Sequence, residues 1–125
     1  MEIKVRRYHE NYILDVAGEL DLYNAYRLRD ATVKLVERGV CRFVINLKAV
    51  RYIDSSGIGA LLSINSLLAR EGRELRIVNI PRQVQRVIDL TRLADFLPIA
   101  ATELDGIESI GRSAAAATDQ RAARN

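Results

Sequence analysis

Arg42-Phe43-Val44-Ile45-Asn46-Leu47 leads, through Tyr52-Ile53, into Asp54-Ser55-Ser56-Gly57-Ile58-Gly59. The first run is nearly continuous in apolar residues, as strands covered on both faces are. The second run is a helix start, because Asp and Ser accept hydrogen bonds from the free amides of a first turn. A buried strand feeding a helix predicts a parallel sheet with crossover helices. The hydroxyls of Ser55 and Ser56 then lie at the carboxyl end of that strand, the side on which such sheets meet ligands and partners.

Working outward, Ser56–Glu71 reads as a helix closed by Gly72, with Ile58, Leu61, Leu62, Leu68 and Ala69 on its core face. Ala60, Ile64 and Leu67 form a second stripe, suited to a neighbouring helix or to an apolar partner surface. Upstream, Asn24–Arg38 is helical, with Leu28, Ala31, Thr32, Leu35 and Val36 on one face and Gly39 beyond its end. Asp21 or Asn24 is placed to cap it. Ile3–Tyr8 and Tyr12–Ala17 read as an antiparallel hairpin turning at Glu10-Asn11.

Downstream, Leu75–Ile80 is a strand. Pro81 opens a third helix that ends near Thr91, with Val84, Val87 and Ile88 inward. Phe96–Ala100 is expected as a last short strand. Thr102 with Asp105 marks a short helix start, with Ile107 and Ile110 to bury. The order ββαβαβαβα implies one α/β domain. Its sheet is mostly parallel with an antiparallel edge strand, and helices pack on it. The domain is expected over 1–111, and 112–125 as a frayed or flexible tail without an apolar face.

Composition narrows the function. The chain has 125 residues, 49% of them hydrophobic and 28% charged, which suits one globular domain. One cysteine, Cys41, excludes an internal disulfide and fits a reducing, cytoplasmic setting. No signal peptide follows Met1, and the longest uncharged run, Ser55–Ala69, is too short for a membrane span. Net charge is +3, but 112–125 carries +2 of it, so no basic stripe for nucleic acid is present.

Catalysis finds little support. Ser56 lies in no G-x-S-x-G elbow, and a triad would have to recruit His9, the one histidine. No phosphate-binding G-x-x-x-x-G-K-[ST] loop exists, and one His with one Cys makes no zinc set. No cofactor, metal or catalytic residue is therefore expected. A serine at a helix start has another use: a phosphate there gains from the helix dipole, and the amides of Gly57 and Ile58 are candidates to hold it.

Asp54-Ser55-Ser56-Gly57-Ile58-Gly59 resembles the phosphoacceptor motif of STAS domains, in particular the bacterial anti-sigma factor antagonists. Gly18-Glu19-Leu20-Asp21-Leu22, followed by Ala25 and Leu28, is similar to that family's entry to its first helix. Val87–Leu93 followed by Phe96 resembles its third-helix region, and the likeness spans about 3–110. The resemblance implies partner switching. The unmodified protein binds an anti-sigma factor that is also a serine kinase, and so frees a sigma factor. Phosphorylation of Ser56 with ATP releases the partner, and a metal-dependent serine phosphatase resets the cycle. Carried over by position, Asp21, Leu22, Tyr23 and Asn24 help dock the kinase. Asp54, Ser55, Gly57, Ile58 and Gly59 flank the acceptor. The expected particle is a monomer or weak dimer. The alternatives are a scaffold subunit of a larger stress-signalling assembly and, remotely, a serine hydrolase.

Overall fold

The computed structural model describes residues 1–111, so the tail expected over 112–125 lies outside the described residues. Strands β1 (Glu2–Tyr8) and β2 (Asn11–Leu20) form the antiparallel hairpin. The turn falls at His9-Glu10, one residue earlier than expected. His9 takes the left-handed conformation (φ 53°), and the Asn11 side chain donates to the Tyr8 carbonyl. Helix α1 (Ala25–Glu37) leads to β3 (Arg42–Ile53), then α2 (Ser55–Arg70), β4 (Glu74–Val78) and α3 (Arg82–Thr91). The strands lie side by side in chain order, with β2, β3 and β4 parallel.

Both crossovers step the same way along the sheet, so right-handed connections put α1 and α2 on one face. The packing agrees. Leu28 and Leu35 of α1, Ile58, Leu61, Ile64 and Leu68 of α2, and Val84 and Ile88 of α3 share one apolar cluster. Phe43, Ile45 and Leu47 of β3 belong to it too.

The core face of α2 is rotated from the expected one. Ile64 is fully buried, Leu62 is half-buried against the core, and Ala69 is exposed. Gly57 sets that rotation. A Cβ there would stand 2.4 Å from the Leu20 carbonyl, so this turn presses on β2 and carries 61, 64 and 68 inward with it. The stripe of Ala60, Ile64 and Leu67 is therefore no free surface. Ile64 is core, Ala60 packs on the core, and Leu67 is half-buried.

The expected last strand is reduced to one parallel bridge, Ile77–Ile99. Phe96 belongs instead to a 3-10 turn, Ala94–Phe96. Pro98 has no amide to donate. Its carbonyl accepts from Ile77 (2.9 Å), and the Ala100 amide returns a bond to Ile77 (3.0 Å), which covers part of the β4 edge.

Residues 103–111 form the last described helix, α4. The Thr102 hydroxyl accepts from the Asp105 amide, as its sequence position suggested. Helix α4 packs on the opposite face of the sheet. Ile110 joins Ile13, Val44 and Val78 in a second, smaller cluster. Gly106 permits the approach, since a Cβ there would lie 2.8 Å from Val78 Cγ1. Among the described residues, no helix is long and apolar enough to cross a membrane.

Candidate functional site

The β2–α1 loop and the start of α2 meet at the carboxyl end of the parallel strands. Asp54 is the N-cap of α2, and its Oδ1 accepts from the Gly57 amide at 3.0 Å. Its other oxygen, Oδ2, accepts from the Leu22 amide at 3.2 Å. One carboxylate thus satisfies a first-turn donor and ties the loop to the helix. The Asp54 amide donates to the Leu20 carbonyl at 3.4 Å, extending the β2–β3 ladder up to the site.

The loop is also held from within. Asp21 Oδ1 accepts from the Tyr23 amide at 2.9 Å, a local turn typical of Asp. Asn24 does not cap α1 with its side chain. Its Oδ1 accepts from the Asp21 amide, and its Nδ2 donates to the Glu19 carbonyl. Asp21 and Asn24 thus shape the loop, while Leu22 (67% exposed) and Tyr23 (84% exposed) project from it.

At the head of α2, Ser55 is exposed and Ser56 half-buried. Gly59 is open, with room for a Cβ. Gly57 and Ile58 face inward, Ile58 being 1% exposed. Neither presents a side-chain surface, so they support the site from beneath. Their amides are also taken, Gly57 by the Asp54 carboxylate and Ile58 by the Asp54 carbonyl at 3.1 Å. A phosphate on this turn would find the amides of Ser55 and Ser56 instead, the two donors that a helix start leaves over.

Two exposed rings flank the expected set. Tyr26 is 62% exposed on the first turn of α1, and Tyr52 is 51% exposed two residues before Asp54. Tyr52 opens the stretch read as the site, which was expected to be a loop there because β3 was expected to end at Leu47. The strand continues to Ile53 and carries Tyr52 to the site. His9 lies at the other end of the sheet. The register runs from Tyr8–Asn11 at that end to Leu20–Ile53 at the site, a span of about 30 Å at strand rise. His9 and Ser56 therefore form no triad. Among the described residues, no group of three His, Cys, Asp or Glu side chains is placed to hold a metal ion.

The STAS-domain family model matches residues 2–106. The chain belongs to the STAS family. It is 31% identical to the anti-sigma-B factor antagonist of Bacillus subtilis (strain 168) over 108 residues, 86% of this chain and 98% of the relative. It is 26% identical to an anti-sigma factor antagonist from Mycobacterium paratuberculosis. That structure superposes with a TM-score of 0.77, covering 87% of this chain and 92% of the other. The fold is also that of the anti-sigma factor antagonist SpoIIAA, solved unphosphorylated (TM-score 0.71, 21% identity, 87% and 96% covered) and phosphorylated (0.64, 20%, 87% and 99%).

Proposed function

We propose that this STAS domain is an anti-sigma factor antagonist switched by phosphorylation of Ser56. The unmodified protein binds an anti-sigma factor with serine kinase activity through Leu22, Tyr23 and the head of α2 around Ser55, Ser56 and Gly59. Asp21, Asn24, Asp54, Gly57 and Ile58 hold that surface in shape. The observation that carries this reading is the Asp54 carboxylate, which bonds the Gly57 amide on one side and the Leu22 amide on the other. It joins the acceptor turn and the exposed loop into one surface, so a charge placed on Ser56 falls inside whatever docks there. Sequence likeness to the Bacillus subtilis antagonist over nearly its full length supports the partner class, and the phosphorylated form of the same-fold SpoIIAA supports the modification.

The phosphate brings about −1.5 to −2 charges. At a helix N-terminus this is compatible with the fold, because the dipole favours an anion there. Its cost appears on docking, where a dianion beside the Asp54 carboxylate would have to be desolvated. A metal-dependent serine phosphatase restores the binding form. The protein itself works by binding, in a reducing cytoplasm.

Ser56→Ala is expected to abolish phosphorylation by the cognate kinase and to keep partner binding. Ser56→Asp is expected to weaken binding without lowering the melting temperature. Ser55→Ala remains a substrate. Phosphopeptide mass spectrometry locates the label and calorimetry gives the affinities. A label on Ser55 moves the switch by one residue. No label on either serine, with parental affinity in Ser56→Asp, rejects the switch.

A further inference from the structure

Strand β3 is longer than its partner needs. Asp15 pairs with Asn46 and Ala17 with Ala49, so β3 advances three residues against two. Gly18 pairs with Val50 and Glu19 with Tyr52, so it gains another. Such bulges bend a strand and re-aim its side chains, and they are uncommon in parallel pairs. The Lys48 amide, displaced from the regular register, donates instead to Asn46 Oδ1 at 3.1 Å.

A trough of about 490 Å³ opens at the first bulge, on the sheet face that α4 only partly covers. Ala17 and Ala49 line it with small side chains, and Lys4 and Lys48 bring cationic ones. Among the described residues, neither lysine has an ion pair or a side-chain hydrogen bond. Asp15, which also lines the trough, is bonded by Arg6 and Asn46 and feels the Lys4 charge as well, while Arg6 is shared with Glu103. Glu2 is the one carboxylate there without a partner. A shallower continuation past Glu2 adds Arg51. The volume falls within the range of small-ligand sites, about 300–1,000 Å³. Helix α4 starts beside the trough, where Glu103 meets Arg6, and its Ile110 lies over Ile13 and Val44, near the amino ends of β2 and β3.

We propose that this trough binds a small organic anion, a carboxylate or phosphate ester with a short aliphatic body, its head between Lys4 and Lys48 and its body over Ala17 and Ala49. The site is separate from the serine switch and stands whether or not that switch operates.

The test is an amide-resolved NMR titration of the full chain with sodium hexanoate, with butyl phosphate and, as the cationic counterpart, with hexylamine. Saturable shifts centred on Ala17, Lys48 and Ala49, given by either anion and not by the amine, are the expected result. Both lysines are at the surface, so Lys4→Ala with Lys48→Ala leaves the fold intact. It should raise the dissociation constant about tenfold, the factor given by about 1.4 kcal/mol. Ala49→Leu, which fills the floor, should weaken binding without changing charge. Hexylamine binding as tightly as the anions, shifts that never saturate, or unchanged affinity in the double-lysine variant would overturn the proposal.

Discussion

The two faces of the sheet are held by different physics. On one, α1, α2 and α3 cover a continuous apolar cluster running from Leu14 through Phe43 and Leu61 to Ile88. On the other, α4 packs on the small apolar group Ile13, Val44 and Val78, and beside them runs a polar row. There Arg6 donates to Asp15, Asn46 donates to Asp15 Oδ1 at 2.8 Å, and Asn79 donates to Asn46 Oδ1 at 3.1 Å. Apolar burial is non-directional and scales with area, so the first face tolerates variation in detail and supplies most of the stability. A half-buried polar row depends on each partner being present, and it contributes alignment more than net free energy. The first face fixes the fold and the rotation of α2. The second leaves space, and that space is the trough.

The sharpest test of this contrast lies on the first face. Leu61 is fully buried, whereas Leu62 beside it is half-buried. Leu61→Ala is expected to cost about 2–5 kcal/mol, the range for a core leucine. Leu62→Ala removes the same atoms from a partly wet site and should cost clearly less. Urea unfolding followed by circular dichroism measures both. Equal losses would mean that α2 is turned back toward the face expected from its sequence, with Leu62 in the core.

That rotation marks a limit of what the sequence discloses. The helix–strand order as far as α3, the antiparallel edge, the parallel centre and the capped start of α2 were all legible, because each leaves a local pattern. The inward stripe of α2 was not, because Leu61, Leu62, Ile64, Leu67 and Leu68 offer more apolar residues than one face needs. Gly57 resolves the choice through contact with Leu20, which is remote in sequence. The last strand failed for a similar reason: Phe96–Ala100 is apolar enough to pair, but Pro98 and the 3-10 turn leave one bridge. At the site, Asp54 was legible as a cap. Its second bond, to Leu22, spans 32 residues and leaves no local sign.

The second face is tested at Gly106. Alanine would ordinarily favour a helix interior over glycine by about 1 kcal/mol. Here its Cβ would meet Val78 Cγ1 at 2.8 Å, and a β-branched side chain on a strand has little freedom to turn aside. Overpacking of this kind costs about 1–3 kcal/mol, so Gly106→Ala should destabilise by up to about 2 kcal/mol net. The same denaturation experiment decides it. A gain in stability would mean that α4 does not seat on β4.

The smallest expected effect comes from the polar row. Hydrogen bonding from the Arg6 guanidinium holds the Asp15 carboxyl below its ordinary value of 3.8, with help from Asn46 and despite partial burial. The same pairing raises the Arg6 value, and Arg6 also reaches Glu103 at the start of α4. A carboxylate with a depressed folded-state pKa stabilises the fold at pH above its unfolded value. That contribution fades as pH drops below 3.8 toward the folded value. Asp15→Asn removes the titration and should flatten stability against pH in that acid window. At neutral pH it should cost about 1 kcal/mol or less, because the pair is partly exposed and an amide oxygen still accepts. Melting temperatures from pH 7 down to about 2.5, spanning that window, test it in both proteins. Parallel curves would mean that Asp15 titrates alike folded and unfolded, and that the row is held by Asn46 and Asn79 without the Arg6 charge.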